Sequence, residues 1–501
     1  MAACKPPGAS SLIGQTSTSC MRKFTIHFRR PKNLKQKEGA PPYKGEYGFD
    51  WLRDEYIYPM EEVALTGAYT ALCKNPINLR EKYLEDVVPK GKNFQINGQD
   101  YYPAWLSIFA CNVQGNNADA GSDMHKDGVY LDLQLDEIDK IIDDETEIFF
   151  EPSDPCLKIT PEKISISEFL KTSRKDRELN GDTHKPVIYY YLLENAVKII
   201  CQGDTLKQHG KIKVFAKRGP TKIEVGRLMV YKNNQIGKAN IVVVNVITKD
   251  NNNKKVIPQS HSSLKSLYNN HCFNQALIQA EIETIEDFDL VELAKDSNDY
   301  DVDSFLDDIN DYNDYMNGSR VINSVFGTRK IKIEADKEIR DRLCKLYDKY
   351  GKNRPKNPEY PKKPEKFLSI NDGKHYKTYL FFTEISPYLA DSGKGDTYGM
   401  AYVRGKYWGN MTVIYKKGLT DDYTIMHETA HSFSLTHTFE KLSETKFYQG
   451  YTENVMDYYK YELPNSDNQL DGQYKDNMYS FFKWQWDLMR KDQSIEILQK
   501  E

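Results

Sequence analysis

Several signatures are missing from this chain of 501 residues, and each absence removes a class of protein. No unbroken apolar run approaches the roughly 18–20 residues that cross a bilayer, so we expect no membrane-spanning helix. Because 69 Lys and Arg residues stand against 73 Asp and Glu residues, no nucleic-acid partner is expected. Residues 1–20 lack the apolar segment of a Sec signal peptide. We therefore expect synthesis in the cytoplasm and, for any export, a signal-less route.

Cysteine is scarce and scattered. The eight cysteines form no CxxC pair, and none follows Cys344. This spacing argues against a disulfide framework and against a thiolate metal site. We expect reduced and mostly buried thiols.

The apolar pattern divides the chain into three parts. Residues 1–20 are small and polar and predict a flexible leader. Residues 21–250 contain many short runs that alternate with a period of two, broken by turn residues, which predicts one or two sandwich-like β domains. Residues 251–501 mix helix and strand patterns. Within this third part we expect two insertions, an acidic segment at 281–315 with 14 acidic residues against one Lys, and a Pro/Lys loop at 351–366.

Three of the ten histidines fall within eleven residues, in the sequence HETAHSFSLTH. On a helix, His427 and His431 are one turn apart, so both imidazoles can reach one metal ion. Glu428 lies beside them, where it could accept a proton from a metal-activated water. His437 can join them only if the helix ends near Ser434 and the chain turns back. Three imidazoles with an open fourth position are typical of catalytic zinc.

Two neighbouring segments, one on each side of the histidines, are also part of the candidate site. Glu453 begins the sequence ENVMDY, and Thr420 or Asp421 can cap a helix through IMHETAHSF. If the turn after the helix does not form, Glu444 or Glu453 becomes the candidate third ligand.

These residues resemble a known family. HETAHSFSLTH is similar to the metzincin zinc-peptidase motif HExxHxxGxxH, with Ser434 at the position of the glycine, and ENVMDY is similar to the Met-turn. HTFE at 437–440 followed by NVMDY is most similar to the pappalysin-like branch. The resemblance covers roughly residues 250–501 and is specific only over 427–458. It implies an α+β, metzincin-like metallopeptidase domain there, following the all-β, sandwich-like N-terminal half that the alternating runs predict.

The same resemblance implies a role for each site residue. Zn²⁺ would be held by His427, His431 and His437. Glu428 would be the general base, Met456 the hydrophobic floor, and Tyr458 a residue that ligates zinc or supports the oxyanion. The strand TYLFF would lie inside the sheet, and MTVIYKK would lead into the zinc helix. A peptide or protein substrate would add to the edge strand that contains Gly399, Met400, Ala401 and Tyr402.

The whole chain is also similar, more diffusely, to bacterial proteins without a signal peptide in which a β-rich front half precedes a zinc peptidase. Some of these are linked to contractile, type VI-like secretion. The resemblance implies a secreted effector or toxin whose N-terminal half contacts secretion machinery. Two other interpretations stay open: a non-enzymatic binding or structural component of a secretion apparatus with a structural zinc site, and a zinc amidase that acts on cell-wall peptide.

Overall fold

The fold is described by a computed structural model. The described residues are 21–32, 42–182, 186–250, 252–310, 319–324, 327–332, 335–353, 377–387, 397–401, 411–441, 443, 445–464, 470–492 and 494–497. The leader at 1–20 and positions 354–366 of the Pro/Lys loop lie outside these ranges.

Eleven strands form the first large sheet. They are β1 Phe24–Arg29, β2 Gly48–Asp50, β7 Ala104–Ser107, β8 Val129–Glu137, β9 Glu147–Pro152, β10 Leu157–Thr160, β11 Lys163–Ser165, β12 Lys175–Glu178, β13 Val187–Cys201, β14 Gly210–Arg218 and β15 Thr221–Val230. The main path runs β10-β13-β8-β1-β15-β14-β9-β11. Three short hairpins lie elsewhere: β3 Glu61–Val63 with β4 Ala68–Thr70, β5 Gln95–Ile96 with β6 Gln99–Asp100, and β19 Ser319–Ser324 with β20 Gly327–Lys332.

The second sheet has seven strands. They are β16 Gly237–Lys249, β17 Lys255–Val256, β18 Ile278–Asp289, β21 Lys377–Thr383, β22 Gly399–Ala401, β23 Met411–Ile414 and β24 Ile495–Ile497. β16 lies between β18 and β21, parallel to both, and β23 continues the sheet in parallel with β21. β22 then pairs antiparallel with β23. TYLFF therefore lies in an inner strand, and GMA lies in the last strand of the sheet. MTVI lies in the strand that precedes the histidine motif. These positions agree with the prediction.

Nine helices belong to the described residues. They are α1 Asp54–Ile57, α2 Pro76–Leu84, α3 Ile166–Leu170, α4 Leu264–His271, α5 Leu290–Ser297, α6 Tyr300–Asn310, α7 Ala335–Tyr350, α8 Asp422–Ser432 and α9 Lys483–Arg490. None of the helices in this part of the chain is long and apolar enough to cross a membrane.

β16 is buried on both faces. Ile241 and Val243 pack with α4 and α8, whereas Val242, Val244 and Val246 pack with α6 and α7. A continuous apolar run is typical of such a doubly covered parallel strand. The run IVVV at 241–244 lies in the part of the chain, residues 21–250, for which β domains were predicted. It belongs instead to the second sheet, against which the histidine helix packs.

The acidic segment contributes to the same sheet. It supplies most of β18, including Phe288, and through α5 and α6 it supplies Leu290, Phe305 and Leu306. These apolar side chains lie in the core on one face of the sheet. Its carboxylates lie around these buried positions.

The N-terminal and C-terminal parts share a core. Tyr56, Leu72 and Tyr83 pack in one buried cluster with Phe447 and Trp484. The aromatic-rich segment at 47–60, which contains Tyr56, therefore packs against the C-terminal part.

The chain is a multidomain, mixed α+β protein with two large sheets. Helices α1–α3 lie among the strands of the first sheet, so a sandwich-like, wholly β N-terminal half stays a prediction. The six cysteines in the described part are free and buried, as predicted: Cys73, Cys111, Cys156, Cys201, Cys272 and Cys344.

Candidate metal centre

Helix α8 carries two of the three histidines and is fixed at its start and along one face. The Asp421 side chain accepts a hydrogen bond from the Thr424 backbone N–H at 3.3 Å, so Asp421 is the N-cap. Tyr268 of α4 shares a hydrogen bond of 2.6 Å with the Thr429 hydroxyl. The buried residues Ile425 and Ala430 pack toward the sheet. These contacts fix the rotation of α8 about its axis.

The helix ends in a Schellman turn at Ser434. The Leu435 N–H donates to the Ala430 carbonyl at 3.3 Å, and the Ser434 N–H donates to the His431 carbonyl at 3.1 Å. Ser434 has φ +68°, the left-handed conformation that usually requires glycine. Its hydroxyl also donates to the Asp492 carboxylate. The turn that the sequence analysis required is therefore made by serine.

This turn brings the three histidines together. The Nε2 atoms of His427, His431 and His437 are each 3.1 Å from the other two. The three residues form a group that could hold a metal ion, with His427 and His431 buried and His437 partly buried. The predicted convergence is confirmed.

Each imidazole is oriented through its other nitrogen. His427 Nδ1 lies 2.7 Å from the Val455 carbonyl, and His431 Nδ1 lies 2.7 Å from the Leu435 carbonyl. His437 Nδ1 hydrogen-bonds the Glu440 carboxylate. Since a carbonyl or carboxylate only accepts, each Nδ1 carries a proton, and the three Nε2 atoms face one another.

The three Nε2 atoms face one another at this spacing, an arrangement that is more favourable around a cation than without one. Ligands of a tetrahedral ion at about 2.0–2.1 Å lie roughly 3.3 Å apart, close to the separation of the three nitrogens. Burial, followed by the neighbouring imidazoles, holds the pKa of His427 well below its usual range and lowers that of His431 to about 3. Both rings are therefore neutral and available as ligands, and the donor set fits a first-row transition metal.

Glu428 lies between the histidines and the end of the sheet. Burial raises the pKa of Glu428 to about 8, against the opposing effects of the Ala401 backbone N–H and the Arg340 guanidinium. A cation held by the adjacent imidazoles would favour the ionised carboxylate. The carboxylate thus accepts a hydrogen bond from the Ala401 N–H of β22.

β22 approaches α8 closely because of a glycine. A Cβ atom on Gly399 would lie 2.6 Å from Glu428 Cγ and 3.1 Å from Thr424 Cγ2. Ala401 is buried on the same face, and Met400 packs on the other side of the sheet. Tyr402, the fourth predicted residue of the substrate strand, lies outside the described residues.

Met456 and Tyr458 both lie near the histidines. Met456 is fully buried in the core that contains Ala430, and its carbonyl accepts the Thr438 N–H at 3.0 Å. The Tyr458 ring is 41% exposed and lies 4.7 Å from the His437 ring and 5.7 Å from the His427 ring. Tyr458 therefore lines the entrance of the site.

The alternative third ligands have different outcomes. Glu444 lies outside the described residues. Glu453 is turned away from the histidines, and its buried carboxylate pairs with Arg30 and Arg53. The alternative with Glu453 as a ligand is therefore wrong, because two guanidinium groups already hold that carboxylate.

Sequence reasoning missed the groups that orient the imidazoles. Glu440 lies three residues after His437, a spacing that could have suggested the contact. The Val455 and Leu435 carbonyls leave no trace in side-chain identity. The Tyr423 hydroxyl lies 3.2 Å from His427 Nδ1, and its position four residues before His427 on the same helix could have suggested this contact.

In comparisons with known proteins, no family model and no curated protein matches this chain.

Proposed function

We propose that the chain is a zinc-dependent endopeptidase. The observation that carries the proposal is the convergence of three Nε2 atoms next to Glu428. Glu428 itself lies against the antiparallel strand β22. The metzincin-like pattern HETAHSFSLTH with ENVMDY supports it from the sequence. Zinc rather than another ion is proposed because three neutral imidazoles with room for a further ligand are its usual catalytic set.

The residues that hold the ion would be His427, His431 and His437. Zinc bound there supplies Lewis acidity, which acidifies water and polarises a peptide carbonyl. Glu428 accepts the proton of the attacking water and then donates it to the nitrogen of the leaving amine. Tyr458, whose ring lies beside His437, would donate a hydrogen bond to the developing oxyanion.

The edge of the sheet supplies a way to hold an extended substrate. β22 pairs only with β23 among the described strands. A peptide backbone that adds along its other side would replace the Arg340 guanidinium, which donates to the Ala401 carbonyl at 3.2 Å. Gly399 and Ala401 keep that strand close to Glu428. The scissile bond of a strand bound there would run past the carboxylate. We propose a protein or peptide substrate on this basis, and delivery by a signal-less, type VI-like route stays a prediction.

The proposal is tested with Glu428→Gln. This variant keeps the size of the side chain but cannot accept the proton, so we expect cleavage of an unfolded protein to fall by about 10²–10⁴-fold. Its zinc content, measured by atomic emission, should equal that of the wild type. If the zinc site only stabilises the fold, the two proteins will be indistinguishable in every functional assay, which would overturn the proposal.

A further inference from the structure

The carboxylate of Glu453 lies in a cluster of positive charge from the N-terminal half. Arg30 and Arg53 both donate to it, and the residue is only 7% exposed. These contacts span about 400 positions in sequence. A buried carboxylate held by two guanidinium groups resists displacement, because losing either partner leaves an uncompensated buried charge.

The two arginines are themselves fixed by aromatic rings. The Arg53 guanidinium carbon lies 3.8 Å from the centre of the Trp51 ring, and that of Arg30 lies 4.1 Å from the Tyr43 ring. Stacking on an aromatic face limits guanidinium motion. The N-terminal half therefore presents Glu453 with donors whose positions are set in advance.

Glu453 begins the turn that orients the first histidine. Its carbonyl accepts the Ser480 N–H at 3.2 Å, and the next side chain, Asn454, accepts the Met456 N–H at 2.9 Å. Val455 lies between Asn454 and Met456 in the chain, and its carbonyl accepts a hydrogen bond from His427 Nδ1–H at 2.7 Å. A displaced carboxylate would shift this carbonyl and release the imidazole.

A second connection joins the N-terminal half to the third histidine. Lys74 N–H donates to the Lys446 carbonyl at 2.7 Å, and Tyr448 N–H donates to the Leu72 carbonyl at 3.0 Å. Between these contacts, Phe447 N–H donates at 3.0 Å to the carbonyl of Thr438, the residue that follows His437.

We propose that Arg30 and Arg53 are positioning residues for the metal centre: by holding Glu453, they fix the turn at 453–457 and hence the orientation of His427. The N-terminal half is then a working part of the metal centre. This inference rests on the proposed function only in taking the three histidines as zinc ligands.

Zinc affinity of the full chain tests the proposal, measured by competition with a chromogenic chelator. Glu453→Gln keeps the side-chain size but leaves two buried guanidinium groups without a counter-charge. We expect its zinc dissociation constant to rise by about 10–100-fold, the usual cost of losing an outer contact to a ligand. Arg30→Lys keeps the charge and loses the planar fork, so we expect a smaller rise. The visible spectrum of the Co²⁺-loaded Glu453→Gln protein should also change.

Two control variants separate positioning from general stability. Arg174→Lys alters the ion pair of Arg174 with Glu137 on the first sheet and should leave zinc affinity unchanged. Ile212→Val thins the core of that sheet, so it should lower the melting temperature without weakening zinc binding.

The outcomes are distinct. If Glu453→Gln and Arg30→Lys both bind zinc within twofold of the wild type, the positioning role is overturned even though the centre binds zinc. If Glu453→Gln does not fold, Arg30→Lys alone decides by the same criterion. If the wild type binds no zinc, the proposed function fails, and this inference fails with it.

Discussion

At the scale of single residues, the site depends on one unusual backbone torsion. Ser434 adopts φ +68°, and the turn it makes allows His437 to come back beside His431. A non-glycine residue in this conformation costs about 1–2 kcal/mol. The Schellman hydrogen bonds and the contact with Asp492 offset that cost.

We predict that Ser434→Gly and Ser434→Val have opposite consequences. Glycine adopts the left-handed conformation freely, so the variant should bind zinc within about threefold of the wild type despite losing the hydroxyl. Valine is β-branched and disfavours a positive φ, so zinc affinity should fall by at least about tenfold. Chelator competition measures both. Equal affinities for the two variants would show that the turn does not position His437.

Gly399 gives a second prediction at this scale. In Gly399→Ala, the new Cβ would contact Glu428 Cγ at 2.6 Å, so the carboxylate or the strand must move. We expect cleavage to fall by at least about tenfold with zinc content unchanged, because misplacing a catalytic group costs rate. Gly210→Ala on the first sheet, whose new Cβ would lie 3.0 Å from the Leu157 side chain, is the matched control and should retain activity. Full activity in Gly399→Ala would contradict the proposed contact between strand and base.

At the scale of elements, one neutral histidine is buried next to the first sheet. His125 accepts the Phe109 N–H on Nδ1 and donates from Nε2 to the Glu46 carbonyl, both at 2.9 Å. Burial lowers the pKa of His125 to about 4. A second proton would face the Phe109 N–H, so this tautomer is specified by its two backbone partners.

This arrangement predicts a loss of stability in acid. The folded pKa is below the usual 6.5, so the unfolded chain binds the proton more readily and stability falls as pH drops from about 6.5 toward 4. One such histidine contributes about 1.4 kcal/mol for each pH unit in that window. His125→Gln can make both hydrogen bonds without titrating, so urea unfolding at pH 7 and pH 5 should show a smaller difference than in the wild type. An equal difference would contradict the prediction.

The helices and strands also show which parts of the fold can be predicted from the sequence. α8 and its cap at Asp421 follow from local chemistry, as does the strand before the helix. The placement of β16 does not. Its apolar run predicts a buried strand, but the choice of sheet depends on pairing with β18 and β21, which lie far along the chain. Local patterns carry no information about that choice.

At the scale of the whole molecule, the two parts of the chain are joined more closely than their patterns suggest. Tyr56 and Tyr83 share a core with Phe447 and Trp484, and Glu453 is held by arginines from the other end of the chain. The histidine spacing predicted the site, because HExxH is a local geometry on one helix. The contact of Glu453 with Arg30 and Arg53 could not be predicted, since it joins residues about 400 positions apart.

The most direct test of this account is a zinc titration of peptide-bond cleavage. The full chain is first stripped of metal with a chelator, and cleavage of an unfolded protein is then followed by mass spectrometry as Zn²⁺ is added. We predict that new internal termini appear, that the rate rises until one equivalent of zinc is bound, and that Glu428→Gln binds the same equivalent without cutting. A wild type that binds one zinc and leaves a broad panel of unfolded substrates intact would contradict the account.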